Sequence, residues 1–288
     1  MDYKWKISLA CFFTCIFFEV GLTSADIGKK VLIPAPIPSL FEDLGPSVTG
    51  LPTYTPPKKF QPLSVESVYS SSQKDLPILP STLLGQLFNA IENGDIKEAK
   101  QLLIGLNVNI QNKQGVTPLY KSVFHQQTDL IRLLLNRGAD INLPDREGLT
   151  PLHVSALEDL HKLAPLLINE GAMLEAKDSY GYTPLHLATD QNSTKTAREL
   201  INHGAEVNSI ADWGNTPLHS SAAQGNTQLV KLLFKKGANI NAVDRLGRSA
   251  LHWVAEKGNL STAKFLITQG ASITQKDNDG HTPLHEAA

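Results

Sequence analysis

Five histidines, His153, His186, His219, His252 and His285, follow one another at intervals of 33 residues. A row of imidazoles has the right side chains to hold a metal ion or to move protons near neutral pH. The spacing argues against both. If each histidine sits on one of a series of stacked units, neighbours lie roughly 10 Å apart, as packed helices do, whereas a shared zinc ion needs its nitrogens at about 2 Å. His281 and His285 have the i, i+4 spacing of a zinc-protease helix, but the residues between them, Thr282-Pro283-Leu284, include no glutamate and read as a helix start. The chain holds no Gly-rich phosphate loop, no paired-carboxylate constellation and no nucleophile elbow. Its 2 cysteines, Cys11 and Cys15, both lie in the first segment. These observations predict no catalytic residue, no metal, no cofactor and no small-molecule substrate.

The segments that carry the histidines recur with the same period. Gly115-Val-Thr-Pro-Leu-Tyr120 is followed at steps of 33 by Gly148-Leu-Thr-Pro-Leu-His153, Gly181-Tyr-Thr-Pro-Leu-His186, Gly214-Asn-Thr-Pro-Leu-His219, Gly247-Arg-Ser-Ala-Leu-His252 and Gly280-His-Thr-Pro-Leu-His285. Thr117, Thr150, Thr183, Thr216 and Thr282 stand where an N-cap hydroxyl accepts from an orphan helix amide, and the proline after each fits the first helical turn. A short first helix is therefore predicted at each Thr-Pro, followed by a polar break such as Gln224-Gly225-Asn226. A second helix follows, with apolar residues at helical spacing, among them Leu130, Ile131, Leu134 and Leu135. Gly138, Gly171, Gly204, Gly237 and Gly270 suit the left-handed position that ends it. About ten residues with a turn such as Asp145-Arg-Glu-Gly148 lead to the next cap. Neither helix of such a unit can bury its apolar face alone, so the units must stack.

The 33-residue period and the Thr-Pro-Leu-His-x-Ala signature resemble the ankyrin repeat, over roughly residues 81–288. The resemblance implies an all-α ankyrin-repeat solenoid, each unit a helix-turn-helix with a hairpin loop. It divides the region into a divergent first repeat at 81–114, repeats from 115, 148, 181, 214 and 247, and a truncated last repeat at 280–288. It also assigns the recurring histidines to hydrogen bonds between adjacent loops.

Departures from the pattern carry their own expectations. Pro165 falls inside a second helix, where it predicts a late start or a kink. Gln126, Asp159 and Asn192 replace the glycine between helices, which predicts less regular turns. Ser249-Ala250 keeps a hydroxyl cap but loses the preset first turn. With one short helix in its last unit, the end is expected to fray. Asn192-Ser-Thr and Asn259-Leu-Ser are glycosylation sequons at inter-helix turns, where both are expected to be accessible.

Positions flanking the tip glycines vary between repeats. The ankyrin family lines its concave, partner-binding face with these hairpin tips and the first helices, so the resemblance points to Tyr180, Tyr182, Trp213, Leu246 and Arg248, with Trp253 on the adjoining first helix. Tyr, Trp and Arg are enriched at interface hot spots, although single exposed aromatics are also ordinary.

With 26 Lys+Arg against 28 Asp+Glu in 288 residues, net charge -2, the chain lacks the basic excess of a nucleic-acid binder. Residues 1–25 carry Lys4 and Lys6, an apolar run from Ile7 to Phe18 and the small residues Thr23-Ser24-Ala25, as a signal peptide does. Ten prolines between Pro34 and Pro80 make residues 26–80 a flexible, disordered Pro-rich linker. The expectation is a secreted or exported, monomeric, non-enzymatic scaffold for a protein partner of unknown identity. The alternative is the same domain held to a membrane by an uncleaved single-pass N-terminal segment.

Overall fold

Each Thr-Pro does start a helix. In the repeat at 115, Thr117 has an extended backbone, its hydroxyl accepts from the Tyr120 amide at 3.0 Å, and Pro118 opens the helix where a missing N–H leaves nothing unpaired. A computed structural model describes residues 81–287, and the signal peptide expected at 1–25 and the linker expected at 26–80 lie outside the described residues. The described residues form helical pairs: α1 (Ser81–Glu92) with α2 (Ile96–Leu102), α3 (Pro118–Phe124) with α4 (Thr128–Asn136), and α5 (Pro151–Leu157) with α6 (Ala164–Asn169). There follow α7 (Pro184–Asp190) with α8 (Thr194–Asn202), α9 (Pro217–Ala223) with α10 (Thr227–Lys235), α11 (Ala250–Lys257) with α12 (Leu260–Thr268), and finally α13 (Pro283–Glu286). Among the described residues there is no strand, only an isolated bridge between Val243 and Ser249.

Successive first helices α3, α5, α7, α9, α11 and α13 pack one on the next, as do α6, α8, α10 and α12. Small buried residues on the first helices, such as Ser155, Ala156, Ser221 and Ala222, let these neighbours approach. The second helices supply the bulk: Leu130, Ile131 and Leu134 of α4 and Leu229, Val230 and Leu233 of α10 are fully buried. Burial of each contributes roughly 2 kcal/mol. These side chains belong to one continuous core cluster running from Leu87 to Ala271, which is why no unit could be stable on its own.

The expected irregularity of three turns is corrected by the structure. Gln126, Asp159 and Asn192 adopt the left-handed conformation of Gly225 and Gly258, with φ of 56°, 48° and 59° against 68° for both glycines. The closing bonds are also the same. The amide one residue later donates to the carbonyl five residues back, Gln127 to Ser122 at 2.9 Å, Leu160 to Ser155 and Ser193 to Ala188 at 2.8 Å, just as Asn226 bonds Ser221. Packing of the two helices dictates the turn, and the non-glycine residues absorb about 1–2 kcal/mol of backbone strain each. Pro165 has the expected consequence: α6 begins three residues later than its counterparts, at Ala164, so that the proline sits in the first turn. The sequon reading is half corrected. Asn192 is exposed, whereas Asn259 is partly buried, its side-chain amide facing the Ala222 and Ala223 carbonyls at 3.5 and 3.4 Å.

Candidate functional site

The hairpin tips are tied to each other through the backbone. The carbonyl just before each tip glycine accepts from an amide of the next hairpin: Arg146 to Gln114, Ser179 to Glu147, Asp212 to Tyr180, Arg245 to Trp213 and Asn278 to Leu246, at 2.9–3.0 Å. Glycine is required at the tip on two counts. Gly148 has φ +81°, and a Cβ there would lie 2.8 Å from the Asp178 Cα of the following hairpin. The ladder fixes one side chain per repeat in register, in the order Gln114, Glu147, Tyr180, Trp213, Leu246 and Asp279. Tyr180, Trp213 and Leu246, the three apolar members, are consecutive and 44%, 54% and 53% exposed.

The other three residues expected at this surface make contacts within the array. The Tyr182 ring packs edge-on against His186 at 5.5 Å, and its hydroxyl accepts from the Asn215 side-chain amide at 3.2 Å. The Arg248 guanidinium lies 4.2 Å from the centre of the Trp253 ring and donates to Asp244 Oδ2 at 3.2 Å, with Glu256 at 3.8 Å. The Trp253 indole N–H donates to the same Asp244 oxygen at 3.1 Å. This interlocked unit is half-buried and holds the fifth hairpin to its own first helix. Two exposed residues beside the tips were missed, Ile210 and Val243, at equivalent positions 33 apart in the hairpins that carry Trp213 and Leu246. Their signal was available in the repeat register, where the neighbouring units have Lys177 and Lys276 instead.

Four of the five recurring histidines, His153, His186, His219 and His252, are buried inside the array, and His285 in the last described unit is exposed. In each of the units at 148, 181 and 214 the N-cap threonine amide donates to the histidine Nδ1, for Thr150 and His153 at 3.1 Å, for Thr183 and His186 at 3.2 Å, and for Thr216 and His219 at 3.0 Å. The threonine hydroxyl stands 2.9 Å from the same nitrogen. Ser249 and His252 repeat the arrangement, as do Thr282 and His285. Nε2 of His153, His186, His219 and His252 reaches the carbonyl of Tyr182, Asn215, Arg248 and His281 in the next hairpin at 3.1–3.3 Å. A carbonyl only accepts, so the hydrogen is on Nε2, while Nδ1 accepts the cap amide and carries none. Burial opposes the charging of three of these rings, pushing His153 and His186 down to about 4 and His219 down as well. With both nitrogens engaged, these four imidazoles have no lone pair left for a metal.

Two open depressions of about 340 Å3 each, one beside Leu103 and Arg137 and the other beside Ile201 and Lys236, are too shallow to enclose a ligand. No helix among the described residues is long and apolar enough to cross a membrane.

Comparison with known proteins agrees with this geometry. Ankyrin repeats in three copies match residues 87–178 and 160–244, and ankyrin repeats in many copies match residues 222–267. Among solved structures, the ankyrin repeat domain of Bcl-3, described as a unique member of the IkappaB protein family, is 28% identical with a TM-score of 0.63, over 70% of this chain and 93% of that one. No curated protein matches the chain.

Proposed function

The chain belongs to the ankyrin-repeat family, in general a non-catalytic interaction scaffold, and from that premise we propose that it binds a protein partner through the apolar tips of three consecutive hairpins. The observation that carries this reading is the row of Tyr180, Trp213 and Leu246, exposed at matching positions where the flanking repeats have Glu147 and Asp279. Ile210 and Val243 widen the patch. Three large apolar side chains about half exposed at fixed spacing leave apolar surface in water, and burial of that surface against a partner is favourable. The tip ladder keeps them in place before binding, which lowers the ordering entropy lost on association. The scaffold acts without catalysis, as a monomer, and takes neither nucleic acid nor a small-molecule substrate.

The apolar run from Ile7 to Phe18, ended by Glu19, is shorter than the roughly 20 residues a membrane span needs, and Thr23-Ser24-Ala25 offers a cleavage site. This supports export with cleavage over a retained anchor. N-terminal sequencing of the mature protein decides: a start at Asp26 supports export, and an intact Met1 supports the tethered alternative.

Partners captured by the intact chain test the surface. The triple variant Tyr180→Ser, Trp213→Ser, Leu246→Ser, which removes no fully buried side chain, is expected to stay folded by circular dichroism and to bind the captured partner roughly 100-fold more weakly, at about 1 kcal/mol for each lost anchor. Unchanged affinity would sink this assignment.

A further inference from the structure

The last described unit replaces the interlocked group of the preceding one with a different set of side chains at the same three positions. In the fifth hairpin Asp244 Oδ1 accepts from the amides of Leu246 and Arg248 at 2.9 and 3.0 Å, which orients the carboxylate, while Oδ2 receives the Arg248 guanidinium and the Trp253 indole N–H. Adding 33 to each position gives Asp277, His281 and Glu286. Asp277 Oδ1 accepts the same two amides, from Asp279 at 3.0 Å and His281 at 2.8 Å, so the carboxylate is oriented in the same way. The guanidinium and the indole donor are gone. An imidazole stands in place of the first and a second carboxylate in place of the second.

One ligand atom from each of Asp277, His281 and Glu286 lies within 4.8 Å of the others. We propose that these three side chains hold a divalent transition-metal ion of the zinc type. Three arguments converge on it. Two carboxylates and one imidazole bring more negative charge together than the imidazole can offset, at a place where the equivalent unit holds a guanidinium cation. One nitrogen and two oxygens form a donor set of the kind that zinc accepts, leaving a fourth position for water. The separation of His281 Nδ1 from Glu286 Oε1, 3.5 Å, is close to the edge of a tetrahedron with zinc–ligand bonds of about 2.0–2.1 Å, which is roughly 3.3 Å.

The ligands come from elements that hold them in different ways. Asp277 is fixed by the tip turn. His281 lies just past the tip glycine, its carbonyl bonded by His252 Nε2 and its ring stacked on His285 at 5.7 Å. Glu286 is on α13, positioned by the cap at Thr282. His281 is exposed, so an ion reaches the site from solvent without any movement of the array. The site is separate from the tip row and does not depend on the binding role proposed for it.

The test is calorimetric titration of the metal-stripped full chain with Zn2+ at pH 7.5. One saturable site per chain is expected, and both His281→Gln and Glu286→Gln should weaken it by about tenfold or more, since loss of even an outer-shell partner of a metal site costs about 10–100-fold. His203→Gln, a change at an exposed histidine elsewhere, should leave it intact. Co2+ adds a second reading: visible absorption on binding to the native chain, lost in His281→Gln, with the circular dichroism of each variant showing that it has folded. No saturable binding, affinity unchanged in both ligand variants, or an equal loss in His203→Gln overturns the proposal.

Discussion

Acid should loosen this array through its buried histidines, over a pH range in which its carboxylates contribute little. His153 and His186 titrate in the unfolded chain near 6.5, but burial holds them down to about 4 in the folded state. Between those values the unfolded chain binds protons that the folded chain refuses, so the stability present above pH 6.5 is lost as pH falls toward 4. At pH 5 the shift costs about 2 kcal/mol per histidine, or about 4 kcal/mol for the pair, and at pH 6 a little under 1 kcal/mol each. For a domain of this size 4 kcal/mol corresponds to a fall in melting temperature of roughly 8–16 °C. His219, lowered by the same cause, adds in the same direction. Asp145, Glu158, Asp178 and Asp190 are raised by burial and act with the opposite sign, since protonation relieves the desolvation of their charge. That relief arrives mainly in the carboxylate range, so urea melts between pH 7.5 and 5 isolate the histidines. In the double variant His153→Gln, His186→Gln the overall stability drops because hydrogen bonds are lost, but the decline between pH 6 and 5 should shrink by about 2 kcal/mol. If the double variant shows the same decline as the native chain, the buried neutral imidazoles are not its source.

Two further changes probe the backbone. Gly148→Ala combines a left-handed φ with a Cβ 2.8 Å from the next hairpin, and is expected to cost about 2–5 kcal/mol by denaturant melts; Gly138→Ala, at φ +82° in open space, should cost only about 1–2 kcal/mol. Gln126→Gly relieves a left-handed non-glycine residue and should stabilise by up to about 1 kcal/mol, whereas Asp159→Gly should gain less or lose, because its carboxylate accepts from the Thr196 amide and hydroxyl at 3.0 Å.

Most of the fold was legible because every unit repeats the same local instructions. Thr-Pro starts a helix, glycine ends one, and the apolar spacing of Leu130, Ile131 and Leu134 names the buried stripe. Where the reading failed, a tertiary contact overrode a local preference. The turns at Gln126, Asp159 and Asn192 looked irregular because glycine was missing, yet the two helices they join leave only one closure, and the residues take it. Exposure divides the expected binding set in two. Tyr180, Trp213 and Leu246 stand exposed at the tips, while Tyr182, Arg248 and Trp253 have partners within their own array. An aromatic residue one place before the glycine and one two places later look alike in a sequence; only the hairpin geometry sends the first outward and the second against His186.

By itself, then, the sequence determined the period, the helix limits, the core stripe and the recurrence of one histidine per unit, since each follows from short-range geometry repeated every 33 residues. Tertiary structure alone decided which tip side chains face water, which are held by Asp244 or Asn215, and that Asp277, His281 and Glu286 converge. Those outcomes depend on how a hairpin folds back over its own first helix and onto the next hairpin, a long-range arrangement that residue type does not encode.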